Sequence, residues 1–199
     1  DTTKKRKRLG TTEADRRQLG ARWTGCKTAT LATPQGSGDS SQVDALAENC
    51  LALLDEGCST VACVANTVSR ARKAWNKLRV KLGDSVDLGL LVGPQRQADR
   101  AGFLNEERRR VLFEGREPEK PIVVVATQTI EVGLDIDVEA LVTESASSSA
   151  LVQRLGRLNR RGTREGRAVI VRDVDSWLYA EDEDAAWALT IKGNTVAVV

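Results

Sequence analysis

The chain has 199 residues, 41% of them apolar, and a formal net charge of +2 at neutral pH, which suits one domain with appendages and leaves bulk charge silent about a polyanionic partner. No apolar run is long enough to cross a membrane, the polar N-terminus lacks the apolar stretch of a signal peptide, and the absence of any Met makes the chain read as part of a longer protein. There is no His, so His-activated nucleophiles and His metal sites are excluded; four cysteines without CxxC spacing, with Cys50 and Cys63 at apolar periodic positions, read as reduced thiols of a cytoplasmic protein, and no metal site is expected.

Residues 1–27, with the basic run Lys4–Arg8, read as a connecting segment whose charges are solvated. Thr28–Ala32 reads as a strand and Ser37–Ser41 as a Gly/Ser loop. From Asp44, the spacing of Leu46, Cys50 and Leu53 predicts a helix that Gly57 ends. Thr60–Ala65 is a β-branched strand. Val68, Ala71, Trp75, Leu78 and Leu82 mark an amphipathic helix closed by Gly83. Val86–Val92 is a third strand, followed by a charged helix over roughly residues 99–114. Ile122–Ala126, behind Pro121, is a continuous apolar run of the kind buried on both faces of a parallel sheet. Ala140–Thr143 is another, and a helix follows the serines 147–149, with Ser149 as its expected N-cap. Arg167–Val171 is a last clear strand, and residues 181–189 read as a short acidic helix. Strands alternating with helices predict a three-layer α/β domain over residues 28–175, its mostly parallel sheet covered by helices, with ligands at the carboxyl ends of the strands. Residues 176–199 read as the start of a C-terminal extension, where Trp177, Tyr179 and Trp187 suit either a further domain or this core.

A phosphate-binding P-loop requires GxxxxGK[ST] after a strand. The nearest string, Gly20 to Thr28, has one residue too many and precedes a strand. No DExD or DExH string is present. The chain alone is expected neither to bind ATP tightly nor to hydrolyse it.

Six arginines fall between Arg154 and Arg167. On a helical wheel Gln153, Arg157 and Arg160 share one face, and Leu151, Leu155 and Leu158 the opposite one, with Arg154 and Arg161 flanking. Two guanidiniums on one face repel unless an anion comes between them, and a triphosphate on a neighbouring lobe is such an anion. Gly156 reads as a mid-helix glycine that admits close approach. An ordinary basic helix is the plainer alternative, but the spacing Q-R-x-G-R-x-x-R is specific.

Gln153–Arg160 resembles motif VI of superfamily 2 helicases. Val125–Asp137, with Thr127, Gln128, Glu131, Gly133, Asp135 and Asp137, resembles their motif V, and Ala65-Asn66-Thr67-Val68 their motif IV. The order matches, over roughly residues 28–172. The wording T-Q-x-x-E-x-G-x-D-x-D and Q-R-x-G-R-x-N-R, with Asn159 where many relatives have Gly, is similar to the helicase–nuclease of type I CRISPR systems. The resemblance implies the second RecA-like lobe of an ATP-driven motor on single-stranded DNA, moving 3′ to 5′ in a prokaryotic cytoplasm and recruited by an RNA-guided surveillance complex. ATP with Mg2+ would be held mainly by the first lobe, to which residues 1–27 connect. It implies Arg157, Arg160 and Gln153 at the triphosphate. Gly133 and Asp135 would face the nucleotide, with Asp135 accepting from ribose or holding an arginine, a task that Glu131 or Asp137 can share. Thr127, Gln128, Asn66 and Thr67 would meet the nucleic-acid backbone. The family's short His-containing segment is replaced here by Val92–Arg100, so Arg96 and Arg100 read either as phosphate contacts or as the start of a surface helix. The family's nuclease uses a His/Asp metal site, which a His-free chain does not supply. The alternatives are another superfamily 2 DNA or RNA helicase, and a non-catalytic RecA-like binding module.

Overall fold

A computed structural model describes residues 12–21, 25–93, 102–132, 134–173 and 195–197. Arg96, Arg100, Gly133, the tail tryptophans and the helix expected over 181–189 lie outside them. The elements are α1 (Glu13–Leu19), β1 (Lys27–Ala32), α2 (Gly38–Asp55), β2 (Thr60–Val64), α3 (Val68–Leu82), β3 (Asp87–Leu91), α4 (Glu106–Glu114), β4 (Ile122–Ala126), β5 (Ala140–Glu144), α5 (Ser148–Leu155), β6 (Gly166–Val171) and β7 (Thr195–Ala197). Among the described residues no helix is long and apolar enough to cross a membrane.

The strands form one sheet in the order β3-β4-β2-β5-β6-β1-β7. Every pair is parallel except β1 with β7, which is antiparallel. The α/β expectation holds, and β7 adds an edge strand that the sequence reading assigned to an extension. Alternation along each strand splits the core in two. Val61, Cys63, Val123, Val125, Ala140 and Val142 face α2 and α3, packing on Leu46, Cys50, Leu53, Ala74 and Leu78. Ala62, Val64, Val124, Ala126, Leu141 and Ile170 face α4, α5 and the segment between β4 and β5, packing on Leu112, Ile130, Ile136, Leu151, Leu155 and Leu158. A sheet covered on both faces explains the near-continuous apolar strands.

Three boundaries differ from expectation for local reasons. Gly38 opens α2 within the expected Gly/Ser loop, and Asp39 in its first turn suits the positive end of the helix. Ser147, not Ser149, caps α5, its Oγ accepting from Ala150 N at 3.4 Å. Asn105 caps α4 through Arg108 N at 3.0 Å, so that helix starts later than the charge pattern suggests. Cys50 and Cys63 are buried free thiols, as expected.

Candidate nucleotide- and nucleic-acid-facing site

In-register pairing brings the carboxyl ends of four strands into one row: Thr127 after β4, Asn66 after β2, Glu144 and Ser145 at β5, and Asp173 after β6. Asn66 is buried and uses all its polar groups. Its N–H donates to the Glu144 carboxylate and its carbonyl accepts from Gln128 Nε2 at 2.9 Å. Its Nδ2 donates to Ser145 O at 2.8 Å and Asp173 Oδ2 at 3.2 Å. Its Oδ1 accepts from both terminal nitrogens of Arg154, each at 3.1 Å. Both ends of the Asn66 amide are thus engaged inside the domain. Thr67 caps α3, accepting from Arg70 N at 3.2 Å. Arg70 returns to Glu144 at 3.1 Å, Asp173 at 2.6 Å and Asp39 at 2.7 Å. Burial raises the Glu144 carboxyl to about 7, against the opposing pull of the Asn66 N–H and of Arg70. Thr127 is buried at the end of β4, and Gln128 beside it is exposed.

The arginine segment is not one helix. α5 ends at Leu155 with Gly156 as its cap, so Gly156 is not mid-helical. Beyond it Leu158 forms a parallel β-bridge with Val138, and Asn159 N donates to Val138 O at 2.8 Å. Asn159 has φ 38°, a left-handed conformation that glycine and asparagine tolerate best. Its side chain closes the turn, Oδ1 accepting from Arg164 N at 3.1 Å and Nδ2 donating to Cys26 O at 3.2 Å. This accounts physically for an Asn at this position. Lys27, the first residue of β1, donates to Leu155 O at 3.1 Å. The fork therefore sits toward the amino ends of the strands, over one face of the sheet. The carboxyl row is occupied instead by Asn66, Thr127 and Gln128.

The acidic residues of the loop before β5 divide the arginines between them. Asp135 Oδ1 lies 2.8 Å from Arg157 and 2.7 Å from Arg160, and the Asp135 side chain is 66% exposed. Asp137 Oδ1 accepts from the backbone N–H of Arg160 at 2.7 Å. Glu131 accepts from Arg154 Nε at 2.8 Å. The Asp135 carboxylate thus lies between the two arginines. Arg157 also donates to Ile130 O at 3.1 Å and Glu131 O at 2.8 Å, which pins it to the loop. Arg160 is 33% exposed, and among the described residues its guanidinium has Asp135 as its ion-pair partner. Gln153 is exposed on α5.

Arg154, read from the wheel as a flank, is fully buried. Besides Asn66 and Glu131 it donates to Thr143 Oγ1 at 2.9 Å and Glu144 O at 3.1 Å. It is the residue that sequence reasoning missed. The available signal was its place in Q-R-x-G-R, not its periodicity.

Residues 57–163 match the family described as CRISPR-associated nuclease/helicase Cas3, C-terminal. The chain is 31% identical over 133 residues to a CRISPR-associated helicase Cas3 of Thermoproteus tenax, covering 66% of this chain and 20% of that protein. It is 38% identical over 102 residues to a Cas3 nuclease/helicase of Methanocaldococcus jannaschii, covering 51% of this chain and 13% of that protein. The chain thus spans a fifth or less of these relatives. In fold it is similar to the crystal structure of T. fusca Cas3–ADP, with TM-score 0.64 at 22% identity over 87% of this chain and 22% of that one. By the family match over more than half its length, the chain belongs to the CRISPR-associated nuclease/helicase Cas3 family and carries its C-terminal RecA-like helicase lobe.

Proposed function

We propose that this lobe is the second half of an ATP-driven motor that moves 3′ to 5′ on single-stranded DNA in type I CRISPR interference, working in the prokaryotic cytoplasm with an RNA-guided surveillance complex. The observation that carries the reading is the pair Arg157 and Arg160 meeting on one exposed carboxylate, Asp135. An exposed ion pair is worth about 0–1 kcal/mol. A triphosphate therefore replaces Asp135 as the partner of Arg160 with little loss, and offers more negative charge. Arg157, held by two backbone carbonyls, fixes the loop against which Arg160 moves. Val132 and Val152 are exposed apolar side chains on the same two segments and suit a surface that a second lobe covers. ATP with Mg2+ would sit mainly on that first lobe. Alone, this chain turns over no ATP.

When the lobes close, Arg160 reaches the γ-phosphate and stabilises charge developing there. Thr127 and Gln128 lie at the carboxyl ends of the strands, suited to grip a phosphate backbone without reading bases. Opening and closing changes the spacing between this grip and that of the first lobe, which moves the strand. In the full-length protein, Arg160→Ala is expected to lower DNA-stimulated ATP turnover by about 10³-fold or more. Near-normal turnover would remove the arginine finger from the reading. Thr127→Ala is expected to weaken single-strand binding and flatten its salt dependence.

A further inference from the structure

Burying a guanidinium with its counter-charge is a poor way to stabilise a core, since replacing the whole buried ion pair by apolar residues of similar volume is often neutral or better. Arg154 is nevertheless fully buried, and its partners come from three segments: Asn66 after β2, Thr143 and Glu144 on β5, and Glu131 in the loop before β5. Those partners lead to the two working ends of the lobe. Asn66 accepts from Gln128 at the strand-end row, at 2.9 Å. Glu131, through its carbonyl, accepts from Arg157 of the fork at 2.8 Å. We propose that Arg154 is a positioning residue that couples the strand-end row to the arginine fork, through the path Gln128–Asn66–Arg154–Glu131–Arg157.

The contacts explain why the path transmits a shift. Both terminal nitrogens of Arg154 hold one oxygen, Asn66 Oδ1, while Nε holds Glu131, so the planar guanidinium fixes the two partners relative to each other. Asn66 has no polar group left over to relax into. A displacement of Gln128 by a bound strand is carried to Asn66 and Arg154, then to the loop that orients Arg157 and presents Asp135 to Arg160. Nucleic acid on one edge thereby sets the geometry of the fork on the other. The inference rests on the proposed function, with Gln128 at the strand and Arg160 at the triphosphate.

The test measures ATP turnover of the full-length protein with and without saturating single-stranded DNA. Arg154→Lys keeps a positive charge but cannot hold Glu131 and Asn66 together. The expected result is basal turnover within about twofold of wild type and a stimulation ratio reduced about tenfold, a typical size for coupling between sites. An unchanged ratio overturns the proposal, including the case where basal and stimulated rates fall in step, as a merely structural role predicts. Should Arg154→Lys fail to fold, Glu131→Leu decides by the same ratio, because it removes the acceptor that holds Nε and leaves the backbone carbonyl that holds Arg157. Arg160→Ala run alongside separates the two claims. Retained turnover there sinks the functional reading, whereas a dead Arg160→Ala with unchanged ratios in the other two variants sinks only the coupling.

Discussion

Arg154 and Arg160 stand six positions apart in one motif and have opposite surroundings. Arg154 is fully buried, and carboxylate, amide, hydroxyl and carbonyl oxygens surround it. Arg160 is a third exposed and leans on a single carboxylate that is itself mostly in water. One side chain is locked and the other can exchange its partner. The difference teaches that a guanidinium is free to change partners only where its counter-charge is replaceable. The chain supplies both kinds within two turns by ending α5 between them.

Substitution of each arginine by Met breaks the comparison most directly. Arg154→Met leaves the Glu131 carboxylate and the Asn66 side-chain oxygen without their donor, and is expected to lower unfolding stability by about 3–5 kcal/mol in urea denaturation. Arg160→Met is expected to stay within about 0.5 kcal/mol of wild type. Equal losses would erase the distinction.

A second, smaller effect is a pH dependence of the buried row. Glu144 faces Arg70 from α3, Asp173 after β6 and the Asn66 N–H after β2, and burial raises its carboxyl from 4.5 to about 7. Between those values the folded state binds more protons than the unfolded one. Stability therefore falls as pH rises through that window, by at most about 3 kcal/mol. The stability linked to Asp39 and Asp87, whose carboxyls are lowered mainly by Arg70 and Arg108, is lost only at more acidic pH. Thermal unfolding of wild type and Glu144→Gln across pH 4.5–7.5 is expected to show the slope in the first and not in the second. The smallest effect sharpens the same row from its rim: Thr67→Ala removes the cap of α3 and is expected to cost about 1 kcal/mol in the same denaturation assay.

The strands were the most legible part of the chain. Ile122–Ala126 is readable to the residue, because five apolar residues behind a proline have one favourable burial, between two helical layers. The arginine segment was legible as a motif and not as conformation. Leu151, Leu155 and Leu158 have helical spacing, but Leu158 is held by a bridge to Val138, and Asn159 turns left-handed, so Arg157 and Arg160 leave the helix. The burial of Arg154 was hidden because its partners Asn66 and Glu131 lie 88 and 23 residues away. Periodicity reports only on neighbours within a turn or two.

Heat acts on the buried charges of the row in an unusual direction. Water solvates ions less favourably as temperature rises, so withdrawing Arg70, Arg154, Glu144 and Asp173 from it becomes less unfavourable on warming. The apolar layers on either side gain no comparable advantage. The row is therefore the part of the lobe whose burial becomes less costly as the temperature rises.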